Sequence, residues 1–450
     1  MTDQAYDAWL ADLSASRVLL AELHHAGGIE YVATGPFISR PTDTDPNRVY
    51  DDCLTAAVDI STRIDGLVGF GEVSLLDDGS LSHWLGNAWQ GHPIKLYLGG
   101  PDWPRDDFRL LAQGRNGGIS DAREGVLAFV MEDESSVLEE RIDTGQLPDD
   151  AGPVPLTLGS VYNAPAYLLT PDPYRFKASY LPVTALTPKD NGNPIAHTDE
   201  LSSGDFVLSN GLIGTLTVDI EEPHNTPQMV CEWVAAHYGI AIAELALPAY
   251  TVGLYFNGDV NGRQILNELC EGLGAYWYLD PVGALVVRQR VLPVEAELTL
   301  VDDDIEKGQI RLAATEPPWT GLTLRWGRNY SPLTTVAGAI EDSSPTEASR
   351  LRTEWRESRA TQAVGDYPLA TREERNSVIQ NETDAATERD RLLALRSQRR
   401  DTWSIQAFLP PVRVGMAIAV NHPRLAGRVG RIASVGRSPT RGNTNLEIWL

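Results

Sequence analysis

Residues 252–290 read VGLYFNGDVNGRQILNELCEGLGAYWYLDPVGALVVRQR, and this stretch decides the fold. Ile265, Leu266, Leu269, Cys270 and Leu273 fall at i, i+1, i+4, i+5 and i+8, so a helix places them on one face. Gly274 stands where a left-handed residue stops such a helix. Ala275 to Leu279 then alternates, Asp280-Pro281-Val282-Gly283 has turn chemistry, and Ala284 to Gln289 returns as a partner strand. With the strand before the helix, the expectation is strand, helix, strand, turn, strand. Trp277 should point away from Tyr276 and Tyr278 and lie under Leu269 and Leu273. Nothing in the unit is a catalytic constellation; it is a packing module.

A chain of 450 residues has room for three or four domains, and 42% hydrophobic content is that of a globular protein. There are 37 Lys and Arg against 62 Asp and Glu, a net charge of −25 that argues against a broad nucleic-acid-binding face. Basic residues gather only weakly, at Arg389 to Arg400, interspersed with Asp390 and preceded by Glu388. Cys53, Cys231 and Cys270 are odd in number and widely separated, as expected of reduced, buried thiols. The opening carries Asp3, Asp7 and Asp12 and no basic or long apolar run, so neither a signal peptide nor membrane insertion is expected.

The rest of the chain divides around the module. An amphipathic arm of Tyr6, Trp9, Leu10 and Leu13 precedes short runs at 30–33, 57–60, 72–76, 94–98, 108–113 and 125–130. With turn signals between them they predict a β-barrel or sandwich, closed by a short helix from Glu132 to Ile142. Residues 145–175 read as a connection, and 176–183, 205–208 and 214–220 as strands. Thr226-Pro227 starts a second helix, ended near Gly239, whose apolar face matches that of the first. Both should pack on one small sheet. Residues 309–325 are β, 338–375 polar and mixed, 383–399 helical, and 412–420, 430–436 and 445–450 form a small barrel-like end.

The expected fold is α+β and mainly β: several small β-barrel or sandwich domains, a helix–sheet middle module and a small β C-terminal unit. The divisions are 1–145 for a tube-like barrel or sandwich, 146–222 for a linker and second β region, and 223–300 for the helix–strand–helix–hairpin module. Residues 301–382 follow as a β segment with a polar connection, and 383–450 as a helix with the small β unit.

Candidate chemistry is weak at each place it can be sought. Asp302-Asp303-Asp304 with Glu306 offers oxygen ligands but lacks the spacing and turn glycine of a calcium loop, so a solvated loop is expected. His24 and His25 are adjacent in a strand and point to opposite faces, which suits a surface or interface role better than a metal pair. Glu139 and Glu140 on a helix diverge by about 100°, which is wrong for a glycosidase pair. The 11 tryptophans are spread from Trp9 to Trp449, as core and contact anchors would be. No catalytic, cofactor-binding or metal-binding residue is assigned, and no enzyme or cofactor is expected.

Three segments in order carry a resemblance. The first is Gly71 to Gly79 (GEVSLLDDG) with Trp89 to Gly99 (WQGHPIKLYLG). The second is 252–290, preceded by Asp205 to Leu208 and Gly214 to Asp219. The third is Leu324 to Pro332 (LRWGRNYSP), then the 383–399 helix and the tail 414–450.

Together these resemble the tail-tip or baseplate hub proteins of long-tailed bacteriophages, related to contractile-tail hubs and type VI secretion spike proteins. The resemblance implies a non-enzymatic virion protein at the tail tip, made in the host bacterial cytoplasm. It implies a homo-oligomer, a trimer by the family's habit, that joins the tail tube or distal-tail ring to a central fibre or spike. Its neighbours would be the distal-tail ring, tape measure and central fibre, with DNA as an unbound passenger through a channel of predominantly negative lining. Fused wall-degrading segments of larger hubs are absent from the sequence, so such activity is expected of another protein. The alternatives are a hexameric distal-tail ring protein and a carbohydrate-binding or carbohydrate-active cell-surface protein.

Overall fold

The computed structural model describes residues 1–12, 14–55, 59–64, 68–425, 427–438 and 442–450. Leu13 of the expected arm and residues 57 and 58 of the expected 57–60 strand lie outside them. The fold is mainly β, with several separate sheets and six α-helices among the described residues.

The N-terminal eight-stranded sheet is centred on Val18–His25, which pairs with Gly28–Ala33 on one side and Pro93–Gly99 on the other. Leu19, Ala21 and Leu23 enter one core with Ile94 and Leu96, while Val18 and Leu20 enter another with Phe37 and Phe108. That double burial explains why VLLA reads as a continuous apolar run. Beyond Pro93–Gly99 the sheet continues through Arg109–Arg123 and Gly125–Glu132 to Val73–Asp77. Residues 53–55 then close it: Leu54 N–H donates to Ala33 (2.9 Å), Leu76 N–H to Cys53 (2.7 Å), and Leu54 bridges Leu75. The barrel-or-sandwich expectation thus resolves into a barrel.

The helix expected over 132–142 is a correction. Only a 3-10 turn forms, Glu134–Glu139, because the backbone is already extended at Asp133 (ψ 163°) and again at Glu140 (ψ 133°), which leaves too few residues between them for a longer helix. A second correction concerns 145–175. Leu156–Pro165 is an interior strand of a five-stranded sheet, between Leu216–Glu221 and Gly253–Phe256. Its alternation is hidden because Gly159 (φ 79°) and Asn163 (φ 55°) take left-handed conformations, and the register slips between Val161 and Ala164. Gly253–Phe256, the first strand of the opening stretch, belongs to this sheet and not to the hairpin beyond its helix. The strand expected at 176–183 is confined to Tyr174–Lys177, which joins a separate four-stranded sheet.

The middle module forms as read. Helix Pro227–Tyr238 is capped by Thr226 and stopped by Gly239 at φ 67°; helix Gly262–Gly272 has a capping box between Asn261 and Gln264. Both pack on a three-stranded sheet of Ile242–Ala246, Leu285–Gln289 and Ala275–Leu279. The polar 338–375 region contains helices Gly338–Ser343 and Pro345–Arg352 and strands Arg356–Thr361 and Arg372–Asn376, which flank Gly321–Trp326. Helix Glu382–Leu395 covers that sheet with Ala385, Leu392 and Leu393.

The C-terminal sheet runs Leu298–Val301, Ala417–Asn421, Val429–Ser438, Asn443–Trp449, Arg400–Phe408, Ile305–Glu316. It therefore crosses the division drawn at 383. A hairpin of Ile60–Arg63 and Val68–Phe70 also leaves the N-terminal barrel region to pair Ser61 with Gly436 and Thr62 with Val435. N-terminal and C-terminal parts are thus stitched through one shared sheet.

Candidate functional site

A groove of about 1130 Å³ lies where the C-terminal sheet meets the middle module. Its floor is a cross-strand row, Ala314–Thr402–Trp449–Arg431, which the register places side by side on four strands. Asn267, Glu271, Tyr276 and Trp277 bring the middle module to the opposite wall. The small Gly321–Trp326 sheet and helix Glu382–Leu395 supply Arg325, Arg375, Trp319 and Arg396.

Four guanidiniums of the lining have carboxylate partners. Arg325 meets Glu374 at 2.7 Å, Arg375 meets Glu373 at 3.7 Å, Arg63 meets Glu447 at 3.8 Å, and Arg396 pairs with Glu316. Arg375 and Arg396 each sit 5.0 Å from the centre of the Trp319 ring. Arg431 donates to the carbonyls of Val291 (2.8 Å) and Gly415 (2.7 Å). Arg290 is open to the groove, and its guanidinium makes no hydrogen bond or ion pair among the described residues. Enclosure by the walls, and then Arg375 and Arg396 nearby, hold its pKa below the ordinary guanidinium value against the opposing pull of Tyr276 and Glu316. Chemically, the groove offers an uncompensated cation beside aromatic walls.

The sequence candidates are not brought together there. Asp302–Asp304 is a 3-10 turn whose Asp304 carboxylate accepts the Val301 N–H (2.8 Å), with Asp302 3.6 Å from His422. Among the described residues no group of three or more His, Cys, Asp or Glu could hold a metal ion. His25, expected at a surface or interface, packs its ring 4.8 Å from that of Trp89 and lies 3.5 Å from Glu30. Burial, and then Lys95, lower the His24 pKa. Glu139 pairs with Arg263 (3.2 Å), whereas Glu140 serves through its backbone carbonyl, which accepts from Tyr238 Oη at 2.7 Å.

Trp84, Trp89, Trp277, Trp319 and Trp326 are buried and the other tryptophans half-buried, so none stands out as an exposed stacking platform. Burial pushes the Cys53 thiol up to about 11 and Cys231 to about 12, and raises Cys270 as well. The Arg389–Arg400 run turns much of its charge inward, as in Arg391 to Glu388 (2.6 Å) and Arg399 to Asp401 (2.7 Å).

Two features escaped sequence reasoning. Glu388 is fully buried, held by Arg391, Tyr250 Oη (3.3 Å) and Gln289 Nε2 (2.8 Å). Arg290 reads only as the polar end of a strand. No described helix is long and apolar enough to cross a membrane.

No protein-family model matches the chain, and no curated protein matches it. Among solved structures it is similar to the 43 kDa tail protein of prophage MuSo2 from Shewanella oneidensis, at 10% identity and TM-score 0.47, covering 96% of this chain and 98% of that one. A tail protein from Neisseria meningitidis gives 10% identity and TM-score 0.49, with 97% of each chain covered. A prophage tail protein from Listeria monocytogenes gives 9% identity and TM-score 0.48, covering 96% of this chain and 94% of that one. Identities this low, with scores below 0.5, do not by themselves assign a role.

Proposed function

We propose that the chain is a structural subunit of a phage-type tail tip, a hub that joins the tail tube or distal-tail ring to a central fibre or spike. In this reading it assembles as a homotrimer around the DNA exit path and performs no chemistry. The observation that carries it is the correspondence between the resembling segments and the architecture. Residues 71–99 supply two barrel strands, 205–219 and 252–290 supply strands of the middle sheets and the helix Gly262–Gly272, and 324–332 with 414–450 supply strands of the last two sheets. The hairpin at 60–70 ties the first unit to the last, as suits a block that transmits force between neighbours.

Exposed apolar side chains support contact with other chains. Ile38 (62% exposed) and Val49 (54%) stand directly opposite each other on the ribbon outside the barrel, and Ile213, Val294 and Leu369 stand almost wholly in solvent. Native mass measurement of the purified chain tests the assembly. A trimer is expected; a hexamer would favour the distal-tail ring, and a chain monomeric at all concentrations and in isolated particles would overturn the reading.

A further inference from the structure

Arg290 and Arg431 are the two guanidiniums of the groove without a carboxylate partner among the described residues, in a chain whose net charge is −25. Arg431 is at least satisfied by two carbonyls. Arg290 is not: the charges acting on it are mixed, Arg375 and Arg396 against Tyr276 and Glu316, and none of them is bonded to its guanidinium among the described residues. Among the described residues Glu271 is the one lining carboxylate without an ion pair, and it also borders the adjoining depression near Glu268 and Arg328. A guanidinium that faces solvent through a groove and has no partner of its own is available to an anion that enters it.

We propose that this groove is a docking site for an acidic peptide segment of a neighbouring protein, whose carboxylate pairs with Arg290 while its backbone lies along the floor beside the half-buried Trp449. Charge complementarity selects the occupant. A guanidinium fork matches one planar carboxylate, whereas the lining glutamates Glu316, Glu373, Glu374 and Glu447 repel a continuous polyanion such as a nucleic-acid backbone. The volume, about 1130 Å³, lies just above the roughly 300–1,000 Å³ usual for small-ligand sites, enough for a short extended segment. The tail-tip reading enters only in naming a neighbouring tail protein as the source.

The test uses the purified full-length chain and an acetylated, amidated pentapeptide GGDGG, with its uncharged counterpart GGNGG and inorganic phosphate alongside. The acidic peptide should bind and the uncharged one should not. Arg290→Gln should weaken binding at least tenfold while the melting temperature is essentially unchanged, because the Arg290 guanidinium holds no hydrogen bond or ion pair among the described residues. Failure of the acidic peptide to bind, unchanged affinity in Arg290→Gln, or tighter binding of phosphate with the same dependence on Arg290 would each overturn the proposal. So would a melting temperature lowered by several degrees, which would make Arg290 a structural residue. The assay reads the groove of the isolated chain, so its failure leaves the tail-tip reading standing, and failure of that reading leaves the assay valid.

Discussion

Trp277 is 4% exposed, packs in the core that holds Leu269 and Leu273, and donates its indole N–H to Asn267 Oδ1 at 2.8 Å. Tyr276 and Tyr278 point the other way, into the core of the C-terminal sheet. One strand therefore glues two units, and Trp277→Ala should cost about 3–5 kcal/mol. Asp303→Asn, on an exposed turn, should leave stability unchanged; urea unfolding of both variants checks the contrast. The direction of Trp277 was legible from the period of two in the sequence. Glu388 was not, because its burial depends on Tyr250 and Gln289, more than 90 residues away. Burial, opposed by Arg391, raises the Glu388 pKa above its ordinary 4.5. A raised carboxyl pKa means the folded state holds its proton longer than the unfolded one, so its contribution is full below pH 4.5 and is lost as pH rises through the folded value. The cost of Glu388→Gln should therefore be larger at pH 4 than at pH 7. A cost that grew with pH would show that the Arg391 pair outweighs burial.

At the scale of elements, the sequence was most readable where caps and periods agree. Thr226-Pro227 and Gly239 bound one helix, and Asn261 and Gln264 start the other. It was least readable where strands break period, as at Gly159 and Asn163, or pair far away. The partners of Ile60–Arg63 lie more than 360 residues downstream, and local pattern carries no information on that choice. Thr62 is buried, and its strand pairs in register with Val68 on one side and Val435 on the other. Thr62→Pro removes a ladder donor there, a loss on the order of 1–3 kcal/mol. Hydrogen exchange should accelerate at Val435 to Arg437 and stay slow across Pro93–Gly99. Equal acceleration in both would mean that the hairpin supports the barrel as much as the C-terminal sheet.

For the whole molecule, composition and alternation were enough to indicate a mainly β chain of several units. They did not reveal that strands from residues 60 to 449 share a sheet, nor that the groove lies where that sheet meets the middle module, because both arise from packing between distant segments. The central claim is that this stitched block is a building part of a tail tip. Immunogold labelling of tailed particles from cells that encode the chain, with antibody raised against it, tests this most directly. The account predicts gold confined to the distal end of the tail; unlabelled particles beside abundant free chain, or gold along the whole tail, would contradict it.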